Sequence, residues 1–306
     1  VDDPALRPQA DYALAWATFQ AGDETNALDL FTKFLAQFPT NELSPQAQWW
    51  IGDYFYRLGG TSYVAAETNY EFIFQNPGWQ NSSLIYPARM MAGRAALGRN
   101  GYKDAIRYFT GLINDTNCPA ELGVQARFAC GGALMQMPAA DTNNPLANFV
   151  AATNVFSQII QQYPTNEWGL RAQGEIGDCA LQLGDYNTAT NAYAQIFNAT
   201  NATVSLRSEA KSGFGLALEK IAATLTGTKQ TAILRQALNS YANVFYDNRA
   251  DGFWREKAGL QALPLAESLG AVDVDRFIDT MESLFPQSRD ALEKRRAAWL
   301  SAVGKN

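Results

Sequence analysis

The chain has 306 residues, 47% of them hydrophobic, and a formal net charge of −6 with an isoelectric point near 4.9. This composition is typical of a globular protein, and the net negative charge argues against a nucleic-acid-binding protein, which needs a basic surface to neutralise phosphates. No apolar run approaches the roughly 20 residues of a membrane-spanning helix, so we predict no membrane span. The chain starts at "VDDPALRPQ" without an initiator methionine, which predicts a processed protein or a piece of a longer one.

The predicted elements begin with a pair of helices whose pattern recurs along the chain. The second helix of the first pair has an alanine, an aromatic residue four positions later and an apolar residue three positions after that, at Ala27, Phe31 and Phe34. The spacing i, i+4, i+7 places these side chains on one face of an α-helix, so each copy predicts a helix with one buried stripe. Later copies, of which the last is degenerate, lie at Ala66, Tyr70 and Ile73; Ala105, Phe109 and Leu112; Ala152, Phe156 and Ile159; Ala189, Tyr193 and Ile196; Ala237, Tyr241 and Val244; and Val274, Ile278 and Met281.

The first helix of each pair also carries a signature, an alanine followed five residues later by a small residue. The last copy departs from it, with Leu263 five residues after Ala258. A glycine inside a helix costs about 1 kcal/mol relative to alanine, so its recurrence needs a packing reason. We predict that the backbone of the second helix approaches closely at this position. The other copies are Ala10 and Ala15, Ala47 and Gly52, Ala88 and Gly93, Ala126 and Gly131, Ala172 and Gly177, and Ala210 and Gly215.

The recurring pair predicts a single domain over residues 1–306, made of about seven units. Pro39 and Pro164 close the clearest units, because proline cannot continue a helix. The amphipathic pattern of residues 289–306 predicts a capping helix and tail that shield the last unit. Two units carry predicted inserted loops, at 138–148 and 224–231. The predicted units span residues 9–41, 44–80, 84–119, 122–166, 169–201, 204–248 and 252–288.

The sequence shows little sign of catalytic chemistry. It contains no histidine, which removes the commonest general base and metal ligand. Cys118, Cys130 and Cys179 have no ligand spacing, and the last two fall in apolar helical stretches, so we interpret them as small hydrophobic residues. The stretch Asp273–Asp279 lacks the glycine and the distal glutamate of an EF-hand loop, and we interpret it as the charged start of a helix. We therefore predict no enzyme activity, no cofactor and no metal.

This pattern resembles the tetratricopeptide repeat (TPR) family. That family's small residue in the first helix, its alanine and aromatic residue in the second, and its closing proline occur here at its spacing over about seven units, from Gln9 to Ser288. The family's early first-helix tryptophan is not at its place, and most units run to 37–39 residues. The resemblance implies an all-α fold, a right-handed α-solenoid or superhelix whose first helices line a concave groove. The phrases "FPTN", "YPTN" and "IGDCALQLGDYNTATNAYAQIF" are similar to those of bacterial cell-envelope repeat proteins, such as the barrel-assembly lipoprotein and the Tol-Pal-associated coordinator.

The resemblance also implies which residues face the groove, two and six positions after each first-helix alanine. The family's lysine and asparagine clamp for a carboxylate is not matched, because Tyr12 and Trp16 occupy those positions. An aromatic groove suits an extended or helical peptide with apolar anchors. Packing between units is the alternative role for Trp16 and Trp49, and Trp50 is expected in the core. The predicted groove residues are Tyr12, Trp16, Trp49, Asp53, Met90, Arg94 and Phe128, followed by Gly132, Gly174 and Asp178.

We therefore predict a non-catalytic scaffold or adaptor that binds another protein or a peptide segment in its groove. The resemblance favours a bacterial periplasm or cell envelope, with the cytoplasm left open, and a place within a longer chain. Two alternatives stay open: a non-catalytic superhelical arm of a larger enzyme similar to lytic transglycosylases, and a structural spacer. Nucleic acid is not an expected partner, and the sequence does not determine the oligomeric state.

Overall fold

A computed structural model of the protein describes residues 3–270 and 273–303, and within these ranges every regular element is helical. The predicted all-α fold is therefore confirmed. None of the described helices combines the length and the apolar character that crossing a bilayer requires. In chain order the α-helices are α1 (Arg7–Gln20), α2 (Glu24–Gln37), α3 (Ser44–Leu58), α4 (Tyr63–Gln75), α5 (Ile85–Gly98), α6 (Tyr102–Ile113), α7 (Ala120–Gln136), α8 (Ala147–Gln162), α9 (Glu167–Leu183), α10 (Tyr186–Asn198), α11 (Val204–Ala222), α12 (Gly227–Phe245), α13 (Gly252–Leu269), α14 (Val274–Leu284) and α15 (Arg289–Val303).

The chain forms two compact units, Val1–Val155 and Phe156–Asn306. In the first unit each helix from α1 to α7 packs against the next one along the chain. The predicted second-helix stripe lies in the core of this unit, where Phe31, Tyr70 and Phe109 are each 0% exposed. These helices are therefore held by burial of one apolar face against their neighbours, as their sequence period predicts.

The core position of Trp50 is also confirmed in this unit. Its side chain is 4% exposed, and its ring lies 4.6 Å from the ring of Phe31. A buried aromatic side chain contributes a large apolar area to folding. Trp50 therefore ties α3 to the stripe of α2 and is not available to a partner.

In the second unit, successive helices from α9 to α15 also pack against one another. The first helices of three pairs, α9, α11 and α13, contact each other in series as well. Tyr193 and Tyr241 continue the buried stripe. The capping role predicted for α15 is confirmed, because Leu292 is 1% exposed and joins the core of the last pairs together with the partly buried Trp299.

The recurring glycines of the first helices face the aromatic rings of the stripe. A Cβ atom built on Gly52 would lie 2.8 Å from Tyr70, and one built on Gly93 would lie 2.4 Å from Phe109. Real Cβ atoms do not approach carbon so closely. The expectation that a neighbouring backbone fills this space is therefore wrong, since it is a ring of the second helix that occupies it. A ring of the second helix also fills the space beside two further glycines, Tyr193 beside Gly177 and Tyr241 beside Gly215.

The last pair follows the same principle with different residues. Leu263, which stands at the expected small position, is buried. Gly259 takes over the close approach, since a Cβ there would lie 2.9 Å from Met281 and from Phe245. Met281 is the third residue of the degenerate stripe and is 0% exposed. A shift of the glycine by four residues, one helical turn, keeps the two helices packed when the stripe lacks an aromatic residue.

Aspartates at the turns fix where several helices begin. The side chains of Asp23, Asp185 and Asp273 accept hydrogen bonds from the backbone N–H groups of residues three positions later, at 3.2, 3.1 and 3.2 Å. Such caps satisfy N–H groups that have no partner inside the helix. The interpretation of Asp273 as a helix start is confirmed by this geometry.

The two predicted inserted loops differ in structure. Residues 138–146 form exposed chain between α7 and α8. The second prediction is wrong over most of its length, because Gly227 through Thr231 form the first turn of α12. Gly227 opens this helix with φ +61°, a backbone conformation that glycine adopts without steric cost. The additional residues at this place therefore extend a helix instead of forming a loop.

Candidate functional site

The predicted groove residues of α1 lie partly against the core. The ring of Tyr12 is partly buried and meets the ring of Phe31 edge-on, with 5.5 Å between centroids. Trp16, one turn later, is 41% exposed and leans on Phe19 at 5.5 Å. Trp16 is therefore the most exposed aromatic residue of this helix, beside the aliphatic Leu14, which is 55% exposed.

On α3, Trp49 and Asp53 meet at a single tyrosine. The ring of Trp49 is partly buried and lies 5.3 Å from the ring of Tyr70, and the hydroxyl of Tyr70 donates a hydrogen bond to Asp53. Burial and the adjacent Asp53 carboxylate raise the pKa of Tyr70 well above its usual range, so its hydroxyl stays protonated and keeps donating. The structure thus joins an apolar ring and a carboxylate in one patch.

The other predicted groove residues are placed differently. Met90 is 3% exposed and belongs to the core, so the surface proposed below does not include it. Arg94 is exposed, with its guanidinium 3.8 Å from the sulfur of Met91, and Phe128 is partly buried. Among the ring contacts of the described residues, none joins Trp16 to Trp49. The predicted set therefore forms separate patches instead of one continuous aromatic floor.

Two aromatic residues that the sequence did not single out contribute to this surface. Phe19 meets the ring of Trp50 edge-on at 5.3 Å, and Tyr54 stacks on Trp50 at 5.8 Å. Arg57 places its guanidinium over Phe19 at 5.6 Å. The spacing from Trp16 to Phe19 and from Trp50 to Tyr54 is that of helix neighbours, and this was the available signal in the sequence.

The second unit contains a small cavity between the first helices α9, α11 and α13, which we call the acidic cavity. Its volume is about 120 Å³. Glu175 lies beside it, close enough that the charges of Asp178 and Glu209 raise its pKa. The lining residues are Asp178, Leu181, Tyr193, Glu209, Ser212, Gly213, Leu216, Trp254, Lys257 and Gln261.

Tyr193 fixes the position of one wall of the acidic cavity. Its ring lies between two glycines, because a Cβ atom on either Gly177 or Gly213 would come within 2.6 Å of it. The hydroxyl donates a hydrogen bond of 2.5 Å to Oδ1 of Asp178. The ring can take only this place, so the glycines of two successive first helices determine where the carboxylate of Asp178 is held.

The three carboxylates of this region all have raised pKa values. Burial, followed by the charges of Asp178 and Glu209, raises the pKa of Glu175 to about 7, against the opposing effect of Arg171. Burial also raises the pKa of Asp178, opposed by the Tyr193 hydrogen bond and by Lys257. Burial and Asp178 raise the pKa of Glu209, opposed by Lys257 and Arg171. Burial is the largest of these effects at each of the three carboxylates.

We expect the Glu175→Gln variant to be more stable than the wild type in mildly alkaline solution. The folded protein holds a proton on Glu175 up to about pH 7, whereas the unfolded chain releases it near 4.5. The free energy of unfolding contributed by this group therefore falls as the pH rises from 4.5 to 7. After allowance for solvent screening, the gain of the variant should reach about 1–2 kcal/mol at pH 8.

Urea denaturation of both proteins between pH 4.5 and pH 8 measures this difference. Glu293→Gln removes the same charge from an exposed position of α15, and its effect should not vary across this window. A difference between Glu175→Gln and wild type that is the same at every pH would contradict the assignment.

The cysteines offer little nucleophilic character. Cys130 and Cys179 are 4% and 0% exposed, which confirms their interpretation as small hydrophobic residues. Burial raises the pKa of the Cys130 thiol, and of the Cys118 thiol as well, which favours the unreactive protonated form. Among the described residues, no group of three or more potential ligands is placed to hold a metal ion.

Comparison with known proteins identifies the fold. No protein-family model and no curated protein matches the chain. The C-terminal part of a TPR repeat-containing protein from Cytophaga hutchinsonii is 12% identical, with a TM-score of 0.60 over 92% of this chain and 98% of that one. A tetratricopeptide repeat protein from Parabacteroides merdae is 12% identical, with a TM-score of 0.54 over 94% and 97%. The apo form of RapI is also 12% identical, with a TM-score of 0.51 over 96% and 86%. The chain has the TPR fold that its repeat pattern predicts.

Proposed function

We propose that the chain is a non-catalytic scaffold that binds an extended peptide segment of another protein on the first-helix surface of residues 3–155. The exposed ring of Trp16 carries this proposal. It is 41% exposed on a helix whose other aromatic residues are packed, and Trp49 with Asp53 adds an aromatic and charged patch on the next first helix. Tryptophan is among the side chains most enriched at the energetic centres of interfaces.

The peptide we propose carries an apolar anchor residue for each ring. Stacked helix pairs bury their stripes against neighbours and leave the first-helix surface free for recognition. A bacterial cell-envelope location is part of the same proposal and rests on the phrases "FPTN" and "YPTN". Fractionation of the native host, with an antibody against the chain, tests that location.

The test of the binding proposal is a selection of random peptides on the immobilised full chain, followed by affinity measurement in solution. We expect Trp16→Ala or Trp49→Ala to lower the affinity for the selected peptides about tenfold or more, which corresponds to about 1.4 kcal/mol of binding free energy. Phe72→Ala is the matched control, because it removes a ring that is 51% exposed from a second helix. Unchanged affinity in both tryptophan variants would contradict the proposed surface.

A further inference from the structure

The acidic cavity of the second unit contains hydrogen-bonding groups that the protein itself does not satisfy. Ser212 lines this cavity and is 3% exposed, yet its hydroxyl oxygen has no partner. The carbonyl oxygen Oε1 of Gln261, on the facing helix, is also buried without a partner. Leaving such a group buried and unpaired costs about 1–3 kcal/mol. Two such groups on one small cavity indicate a ligand that supplies the missing hydrogen bonds.

The charges around this cavity indicate the sign of the charge on that ligand. Glu175, Asp178 and Glu209 lie on or beside it, and none of them takes part in an ion pair among the residues that the structure describes. Lys257 is the cation of the lining, and its ammonium lies over the ring of Trp254 at 4.8 Å. Three carboxylates therefore lie on or beside a cavity whose lining carries one ammonium, and Arg171 is a further cation that acts on Glu175 and Glu209.

The unsatisfied groups also define the hydrogen-bonding character of the ligand. Carboxylates and an amide carbonyl only accept hydrogen bonds, and the Ser212 hydroxyl can accept as well. One oxygen of Asp178 already accepts from Tyr193, which leaves Oδ2 free among the contacts of the described residues. A cation with several N–H groups, and no acceptor of its own, would match this set. The volume of about 120 Å³ exceeds the roughly 10–15 Å³ that one water requires and leaves room for a small head group.

We infer that the acidic cavity binds the guanidinium group of an arginine side chain of a partner protein. A guanidinium presents five N–H donors in a planar fork and pairs with carboxylates through two hydrogen bonds at once. The free oxygens of Asp178 and Glu209 face it from α9 and α11, and Ser212 and Gln261 supply the further acceptors. This inference rests on the proposed function, because it assigns the chemistry of one side chain of the protein that the scaffold binds.

The experiment uses the full chain labelled with ¹⁵N and the probe N-acetyl-arginine methylamide. The indole N–H signal of Trp254, assigned with the Trp254→Phe variant, reports on the cavity wall. We expect a saturable shift of this signal with a dissociation constant of about 1 mM or tighter. The citrulline analogue, which replaces the guanidinium with a neutral urea, should give no saturable shift up to about 20 mM. An equal response to the lysine analogue would overturn the guanidinium assignment, and no response to the arginine probe would overturn the site.

Variants separate a binding role from a structural one. Glu209→Gln and Ser212→Ala should each lower the affinity for the arginine probe about fivefold or more. Ser212→Ala should leave the urea unfolding midpoint unchanged or raise it, because it removes a buried hydroxyl that has no partner. Glu293→Gln, which removes a charge from exposed α15, is the matched control and should bind like wild type. Full-strength binding by Ser212→Ala and Glu209→Gln would contradict the inference.

The two proposals can fail separately. Peptides selected on the chain report on Trp16 and Trp49, whereas the arginine probe reports on Trp254 in the other unit. If selected peptides depend on the tryptophans but the arginine probe does not bind, the scaffold proposal stands and the inference about the acidic cavity is wrong. If the probe binds but no peptide depends on Trp16 or Trp49, the surface in the first unit is wrong.

Discussion

Replacing Arg99 with methionine should destabilise the protein by about 3–5 kcal/mol, the range measured when one partner of a buried ion pair is removed. Arg99 follows α5 and reaches Glu67 on α4, with Nε–Oε2 and Nη2–Oε1 distances of 2.5 and 3.0 Å. Its guanidinium also donates to Asp104 on α6 at 2.5 Å. Glu67 is 7% exposed, so the variant leaves a buried carboxylate without its cation.

Only one other described group would then satisfy Glu67, the hydroxyl of Tyr108, which donates to it at 3.1 Å. A neutral hydroxyl does not compensate a buried charge. Because Arg99 links α4 and α6 across the end of α5, its loss affects the packing between two successive helix pairs. The expected loss is therefore larger than for any exposed ion pair of the chain.

Urea denaturation at pH 7 measures this loss against two reference variants. Lys33→Met removes the cation of an exposed pair with Asp29, in which Lys33 is 63% exposed, and it should change the free energy of unfolding by less than about 0.5 kcal/mol. The double variant Glu67→Met with Arg99→Met should recover at least half of the loss, since no buried charge is left unpaired. Asp104 also loses Arg99, but its side chain is 42% exposed and keeps Arg107 at 3.6 Å. A double variant as unstable as Arg99→Met alone would show that the effect arises from lost packing instead of an unpaired charge.

The sequence predicted the repeat fold well because the determining signal is local. An alanine, an aromatic residue and an apolar residue at i, i+4 and i+7 must share one helix face, and Ala105, Phe109 and Leu112 are accordingly 0–1% exposed. The position of the glycine five residues after the first-helix alanine was also correct. The predicted reason for this glycine was wrong. The sequence indicates that no side chain fits at Gly93, but it does not show whether a backbone or a ring fills the space.

The sites were less predictable because they join distant helices. Ser212 and Gln261 lie 49 residues apart in the chain, and no spacing rule connects them, so the acidic cavity emerges only when α9, α11 and α13 stack. The sequence places Glu175 and Asp178 three residues apart on one helix face. It does not show that Lys257 lies beside them or that the hydroxyl of Ser212 is unpaired. Met90 was assigned to the groove by its position in the repeat, and only its neighbours place it in the core.

The Gly93→Ala variant tests the packing of the helix pairs in which a first-helix glycine faces a second-helix ring, and we expect it to lose about 2–3 kcal/mol of unfolding free energy. The new Cβ atom would lie 2.4 Å from Cε1 of Phe109, 2.8 Å from Cζ and 2.9 Å from Cδ1. Phe109 is 0% exposed, so its ring is surrounded and cannot move away without disturbing other core side chains. The clash outweighs the gain of roughly 1 kcal/mol that alanine brings to a helix interior.

Gly132→Ala is the matched control, because a Cβ atom at this glycine of α7 would have no neighbour within 4 Å. It should stabilise the protein by about 0.5–1 kcal/mol, through helix propensity alone. Combining Gly93→Ala with Phe109→Leu, which removes the obstructing ring edge, should cost less than the sum of the two single losses, because the residues are in contact. Strictly additive losses, or a Gly93→Ala protein as stable as wild type, would mean that the ring does not require the glycine. The repeated glycines of α3, α5, α9 and α11 would then need a different physical explanation.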